Sequence, residues 1–196
     1  MTLKSGMHSV AAGSVAMVVT HLKMIAAAPL RGAALPDGLE FAPLARDPDI
    51  YRDLFRRVGQ DWLWFGRLTL SDLELCHIIE DDAVQIWTLL KDGQPEAILE
   101  LDFRQSGACE LAYFGLTSKL IGTGAGAFLM DRAIETAWSR PIDRFTVHTC
   151  TLDSPQALSF YERSGFQPVK REIEVDADPR VLGLYPKTTA PHVPIL

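Results

Sequence analysis

Three glycines at alternate positions, Gly122, Gly124 and Gly126, stand in the run LIGTGAGAFLMDRAIETAW between Leu120 and Trp138. Bare backbone passes there directly into a helical pattern. Met130, Ala133, Ile134, Ala137 and Trp138 recur at helical spacing, with Asp131, Arg132 and Glu135 on the opposite side. The residues before the loop, ELAYFGL from Glu110 to Leu116, are apolar and rich in strand formers. Such a junction between strand and helix is an anion site. Unpaired N–H groups at a helix start carry partial positive charge, and glycine lets a phosphate approach the main chain without a Cβ in the way. A second grouping, His148 and Cys150 in VHTCTLD, lies two residues apart on a strand and so shares a face. It reads either as a nucleophilic Cys–His pair or, with no third group to orient the histidine, as two ordinary strand residues. Asp153 is expected to pair with His148 or to assist a helix cap at Ser154. A third, DWLWFGR, concentrates Trp62, Trp64 and Phe65.

These groups need elements to hold them. VAMVVTHLKM, Val15 to Met24, suits a strand with Val18, Leu22 and Met24 on one side. PLRGAALPDG is a connection, and LEFAPLA from Leu39 is a second strand. DPDIYRDLFRRVG reads as an amphipathic helix capped by Asp47 or Asp49, lined by Ile50, Leu54 and Val58 and ended by Gly59. A further helix follows Ser71. VQIWTLLKDGQPEAILELDF makes two strands about a turn at Asp92-Gly93, and GACELAYFGL makes a third, completing an antiparallel meander. Beyond the glycine loop and its helix come the strand DRFTVHTCTL, a helix with Ser154 as N-cap, Pro155 as first residue and Gly165 as stop, and the long strand FQPVKREIEVD. The tail from Ala177 carries Pro179, Pro186, Pro191 and Pro194 and is expected to be an extended arm. The succession predicts an α+β layered fold: a mixed, mostly antiparallel central sheet flanked by helices, its middle strand pair parallel through a crossover helix.

With 196 residues and ordinary globular composition, the chain is long enough for one sizeable core, so a single domain over 1–196 is expected. A net charge of −6 and the lack of any Lys/Arg-rich run argue against a nucleic-acid partner. Cys76, Cys109 and Cys150 are odd in number, widely spaced and without a CxxC pair. That pattern suggests neither a disulfide framework nor a metal site and fits the cytoplasm. Lys4, the apolar run after it and IAAAP at 25–29 look like a secretory leader, but His21 and Lys23 interrupt the run and favour the strand. No stretch approaches the ~20 apolar residues of a membrane span, and no membrane partner is expected.

Three phosphate loops compete. A P-loop ends in Gly-Lys-Ser/Thr, whereas Gly126 is followed by Ala127-Phe128, which excludes it. A dinucleotide fingerprint needs GxGxxG and an acidic residue closing the next strand; here Asp143 opens its strand, and antiparallel strands precede the loop. The third reading rests on two landmarks. Gly124 and Gly126, with Ala157, Tyr161, Gly165 and Phe166 of SPQALSFYERSGF, resemble the GCN5-related N-acetyltransferase (GNAT) superfamily. Its pyrophosphate signature is Arg/Gln-x-x-Gly-x-Gly/Ala, and its second landmark is Asn-x-x-Ala-x-x-x-Tyr-x-x-x-Gly-Phe. The resemblance runs from about Leu39 to Asp176. Ile121 replaces the usual Arg or Gln and Ser154 the usual Asn; main-chain N–H groups hold the phosphate in any case, and serine caps a helix about as well as asparagine.

The resemblance implies a splayed parallel strand pair, acetyl-CoA (coenzyme A) as cofactor, and acetyl transfer to a primary amine by direct attack in a ternary complex. An alkylammonium with a pKa near 10.4 must lose its proton, an oxyanion must be stabilised and the thiolate must leave. The resemblance assigns the diphosphate to Ile121, Gly122, Thr123, Gly124, Ala125, Gly126 and Ala127, with Ser154 beside them. It assigns the pantetheine arm and the oxyanion to the main chain of Phe114, Gly115 and Leu116, where a bulge at Gly115 would accompany the splay. Tyr161 is implied as donor to the departing thiolate. Glu110, six residues before Leu116, is implied as general base, its pKa raised by burial beside Tyr113. Trp62, Trp64, Phe65 and His148 are implied as acceptor pocket, with His148 and Cys150 beside the cofactor or substrate channel. The arm with His192 would close that pocket or reach a second subunit in a homodimer. The plain alternatives are an edge carboxylate paired with Arg104 for Glu110, and core packing for Tyr161 and the tryptophans. A small-molecule acceptor is favoured over a peptide or protein, because no acidic groove sequence is conspicuous. A non-catalytic acyl-CoA-binding module and a Cys150-dependent thioesterase are the competing functions.

Overall fold

Side-chain caps set the starts of the first two helices in the computed structural model, which describes residues 3–196. The elements in chain order are β1 (Ser14–Met24), β2 (Leu39–Pro43), α1 (Pro48–Gly59), α2 (Asp72–Ile79), β3 (Val84–Lys91), β4 (Gln94–Pro95), β5 (Ala97–Asp102), β6 (Ala108–Leu116), α3 (Ala125–Trp138), β7 (Arg144–Cys150), α4 (Ala157–Arg163) and β8 (Gln167–Ala177). Asp47 accepts the N–H groups of Asp49 and Ile50 at 2.9 and 3.0 Å, and Pro48 follows in the first turn, where its missing N–H costs nothing. Ser71 and Glu74 form a reciprocal capping box on α2. The apolar stripe of α1 is Tyr51, Leu54, Phe55 and Val58. Ile50, expected in that stripe, is exposed instead, because the two aromatic residues turn the buried face by one position.

The strands form one sheet in the order β2-β3-β5-β6-β7-β1-β8, with the short β4 paired to β3. Every neighbouring pair is antiparallel except β6 and β7, which α3 joins as a parallel crossover. The N-terminal strand does not lie at an edge. β1 runs antiparallel between β7 and β8, so the β7–α4–β8 connection skips one position and β1 fills the gap. Its alternation serves both faces: Val15, Met17 and Val19 enter one core, Leu22 and Met24 the other. Val18 shares the face of Leu22 and Met24 but stays exposed.

Two cores result. α3 and α4 cover one face over Leu99, Phe145, Val147 and Phe166, while α1, α2 and the C-terminal tail cover the other around Phe55, Leu75, Ile98 and Tyr185. Asp131, expected on the solvent side of α3, is buried because its carboxylate accepts the N–H groups of Arg31 and Ala33 in the β1–β2 connection, at 3.1 and 3.0 Å. Ser154 is not the cap of α4. It opens a turn in which its carbonyl accepts the N–H of Ala157 at 2.8 Å, and the helix begins later, capped at Gln156. Gly165, at φ +99°, closes α4 as expected.

Where an extended arm is expected, residues 178–196 make a series of turns that fold back on the second core. The organiser is Arg180, 2% exposed. It pairs with buried Asp178 at 2.7 Å and donates to the carbonyls of Thr189, Ala190 and Val193 at 3.0, 3.2 and 2.8 Å. One guanidinium thus satisfies three carbonyls that have no strand to pair with. Truncation of Arg180 strands a buried carboxylate, and Arg180→Ala is expected to cost about 3–5 kcal/mol of stability, read as a lower urea midpoint, with Arg180→Lys recovering only part.

Candidate active site

The glycine loop is built for approach from outside. Gly122 and Gly124 have φ of +80° and +89°, a left-handed conformation that favours glycine. A Cβ at either would meet no atom within 4 Å, so the space over the loop is open. Gly124 caps α3 without any side chain. Among the described residues the N–H groups of Gly122, Gly124 and Gly126 have no acceptor, while that of Ala125 reaches Thr123 Oγ1 only at 3.4 Å. The approach to the loop is fixed from below. Buried Glu96 accepts Thr117 Oγ1 at 2.7 Å, Lys119 Nζ at 2.6 Å and Arg57 Nη1 at 3.1 Å.

The strand leading to the loop parts from its neighbour. β6 and β7 pair only from Ala108–Glu110 to Arg144–Thr146, and beyond that point the two chains separate. The bulge that accompanies the parting is not at Gly115. Glu100 pairs with Tyr113 and Leu101 with Leu111, which leaves Ala112 as the extra residue, while Gly115 pairs regularly with Ile98. Gly115 is bare for a different reason: a Cβ there would lie 2.4 Å from Val58 Cγ1 and 3.0 Å from Trp64 Cη2. Behind the bulge, the buried carboxylate of Glu100 accepts from the Tyr51 hydroxyl and, at 2.5 Å, from Arg67 Nη2. The Arg67 guanidinium lies over the Tyr113 ring, 5.0 Å from its centre.

A cavity of about 500 Å³ begins at Ile121 and Gly126, follows Phe114, Gly115 and Leu116 between the parted strands, and ends among Trp62, Trp64 and Phe65. Gly122, Thr123, Gly124, Ala125 and Ala127 adjoin its mouth without lining it. Tyr161, 8% exposed, lines it from α4 with its ring against Phe114, Phe160 and Phe166. Burial pushes the Tyr161 hydroxyl far above the usual tyrosine range. Ser154 lines the same wall.

His148 also lines the cavity, whereas Glu110 stands behind it, outside the lining, with Oε1 3.4 Å from His148 Nδ1. This pairing reverses one expectation. It holds Glu110 below the ordinary carboxylate range, against the opposing effect of burial, and lifts His148 above the ordinary imidazole range. Arg104 pairs with Asp102 rather than with Glu110. Asp153 neither pairs with His148 nor caps α4; it accepts Trp64 Nε1 at 2.9 Å, Thr149 Oγ1 at 2.7 Å and the Cys150 N–H at 2.7 Å, and so pins the tryptophan to β7. Tyr185 of the tail donates to the Trp64 carbonyl at 2.6 Å. Burial raises the Cys150 thiol to about 11, and His148 is committed to Glu110, so no Cys–His nucleophile is assembled. His192 is exposed and outside the lining.

Sequence reasoning passed over Tyr113, Met17 and Val19, and the carboxylates of Glu174 and Asp176, all of which line the cavity. The strand alternation of Glu172, Glu174 and Asp176 in KREIEVD was a readable signal that these side chains share one face. Among the described residues, no helix is long and apolar enough to cross a membrane.

No protein of curated function matches the chain. Solved structures share its fold. A GCN5-related N-acetyltransferase from Sphaerobacter thermophilus superposes with a TM-score of 0.58 at 12% identity, over 82% of this chain and 51% of that one. A tandem GNAT protein from the clavulanic acid biosynthesis pathway gives 0.61 at 12% identity, over 81% and 53%. An aminoglycoside acetyltransferase from an uncultured soil metagenomic sample gives 0.53 at 13% identity, over 65% and 88%. The chain thus spans about half the length of the first two. A family model described as the acetyltransferase (GNAT) family matches residues 49–166, well over half of the chain and the stretch that carries the parted strands, the glycine loop and the Tyr161 helix. On that match, the chain belongs to the GNAT acetyltransferase family.

Proposed function

We propose that the chain is an acetyl-CoA-dependent N-acetyltransferase that acts on a small-molecule primary amine by direct attack in a ternary complex. One observation carries the reading: a single cavity joins the glycine loop, the parted strands and the aromatic pocket. The residues present fit the cofactor, because orphaned amides and open space coincide at Gly122 and Gly124. Acetyl-CoA supplies an activated acetyl thioester when bound. Amides of β6 beyond Glu110 that point toward the cleft are free to donate to a carbonyl oxygen lying between the strands. Tyr161 keeps its proton throughout the physiological range, which suits a donor to a departing thiolate.

His148, not Glu110, is the basic group that meets the cavity, with Glu110 positioning it and raising its basicity through Nδ1. This leaves Nε2 to accept a proton from the acceptor amine. The aromatic end of the cavity and the aminoglycoside-acetylating structural relative support a small polar acceptor. Three free cysteines support a reducing, cytoplasmic setting. A non-catalytic acyl-CoA-binding module is disfavoured by a cavity that continues past the strands to His148 and Trp64. A thioesterase is disfavoured by the raised Cys150 thiol.

Three outcomes follow for the purified protein assayed with acetyl-CoA and an amine panel. Gly124→Ala forces a side chain into the left-handed cap, a strain of roughly 1–3 kcal/mol, and is expected to weaken acetyl-CoA binding about tenfold by calorimetry. Tyr161→Phe is expected to lower kcat by about tenfold to a hundredfold, since a thiolate leaves with modest help. The log of kcat/KM should rise with pH through a value above 6.5, as the raised His148 loses its proton. Glu110→Gln removes the cause of that elevation, so the limb shifts to lower pH and the plateau falls. A wild-type limb below 4.5 that disappears in Glu110→Gln would instead make Glu110 the base.

A further inference from the structure

The two edges of the sheet are finished differently. β2 closes one edge with five residues and ends at Pro43, and a short, proline-ended strand resists further pairing. β8 closes the other with 11 residues, every one of them exposed from Gln167 to Asp176, and among the described residues no strand pairs with its outer side. Its one proline, Pro168, is second in the strand, and the bulge in its pairing with β1 lies between Pro168 and Lys170. Lys170 to Ala177 is therefore a regular, open edge with its outward amides and carbonyls unmet by any strand.

One face of that edge is apolar. Ile173 and Val175 stand opposite Val18 and Ala16 of β1 and share their side of the sheet. Val18, Ile173 and Val175 are 37%, 51% and 52% exposed. The other face is charged, and its order decides what fits. A foreign apolar strand would leave Lys170, Glu172 and Glu174 without counter-charges. A second copy supplies them. Two-fold antiparallel pairing of β8 with itself over its full length sets Gln167 opposite Ala177 and places Glu172 on the axis, so that Lys170 faces the partner's Glu174 twice. Glu172 is already neutralised within its own chain by His21 at 2.9 Å and Lys170 at 2.6 Å. Moving the axis to Ile173 instead would set Glu172 opposite the partner's Glu174 twice, a like-charge arrangement.

We propose that β8 is a dimer interface, on which a second copy of this chain pairs antiparallel about Glu172 and joins the two sheets into one. The contact is isologous and closes on itself, so it uses up the open edge without leaving another for further growth. The exposed Ile173 and Val175 of the two copies then lie side by side across the axis, and Lys170 of each brings a cation to Glu174, which lines the other's cavity. The inference does not depend on the transferase reading.

Sedimentation equilibrium of the full chain tests the interface and its register together. The expected mass is twice the 21.7 kDa of one chain. Lys170→Glu and Glu174→Lys each turn two attractive cross-strand pairs into repulsive ones and are expected to weaken the dimer about tenfold, whereas the exchanged double variant Lys170→Glu/Glu174→Lys restores it. Glu40→Lys, on β2 at the opposite edge, should leave the dimer as in wild type. Hydrogen exchange of the amides from Lys170 to Glu174 should slow as protein concentration rises. A monomer across the concentration series, an open-ended aggregate, or a dimer indifferent to both single variants overturns the inference, and so does a double variant that fails to recover. Circular dichroism matching wild type excludes misfolding of the variants.

Discussion

Everything in the site depends on two neighbouring strands that stop pairing. A parallel pair normally continues for as long as both chains last, because each unmet N–H or carbonyl in a sheet costs about 1–3 kcal/mol when shielded from water. β6 and β7 abandon each other after Glu110 and Thr146, and three contacts oppose re-zipping. The bulge at Ala112 re-aims β6. Val58 and Trp64 press on the bare face of Gly115. Phe160 from α4 stacks on Phe114 at 5.6 Å. The backbone that the parting leaves open faces the cavity between the strands.

Charge then orients whatever enters. Helix α3 begins with bare amides and no side-chain cap, which makes the loop end electropositive. The opposite wall carries Glu174 and Asp176, with Glu110 behind His148. The aromatic end of the cavity is held rigidly. Trp64 is fixed at its indole by Asp153 and at its carbonyl by Tyr185, so the pocket shape is set by β7 and the tail together.

Period and capping made most elements legible in the sequence. The Asp47 and Ser71 starts, the Asp92-Gly93 turn and the parallel crossover through α3 follow from residue types a few positions apart, and local rules see that far. What escaped them was non-local. Asp131 reads as solvent-facing by helical period and is buried only because Arg31 and Ala33, about a hundred residues earlier, bring their amides to it. The turns of 178–196 hang on Arg180, whose acceptors are carbonyls and leave no trace in side-chain pattern. In the site, the glycines and the Tyr161 helix were readable because they are contiguous motifs. The order of Glu110 and His148, one behind the other, was not, since it depends on which strand faces which.

The placement of β1 is the largest departure from sequence order and bears on the site directly. Among the described residues β8 bonds to the sheet only through β1, which lies between β8 and β7. The wall carrying Glu174 and Asp176 is therefore fixed by a segment some 150 residues away in the chain, and it cannot be assembled until the two ends of the sequence meet. β1 also contributes Met17 and Val19 to the cavity floor and sets His21 opposite His148, ring centres 5.9 Å apart. The glycine loop and parted strands, by contrast, come from a nearly continuous stretch. The loop wall of the cavity is thus local and the wall built by β1 and β8 is non-local. A sequence could keep the first and alter the second by changes in β1 and β8 alone, so the two walls can diverge independently.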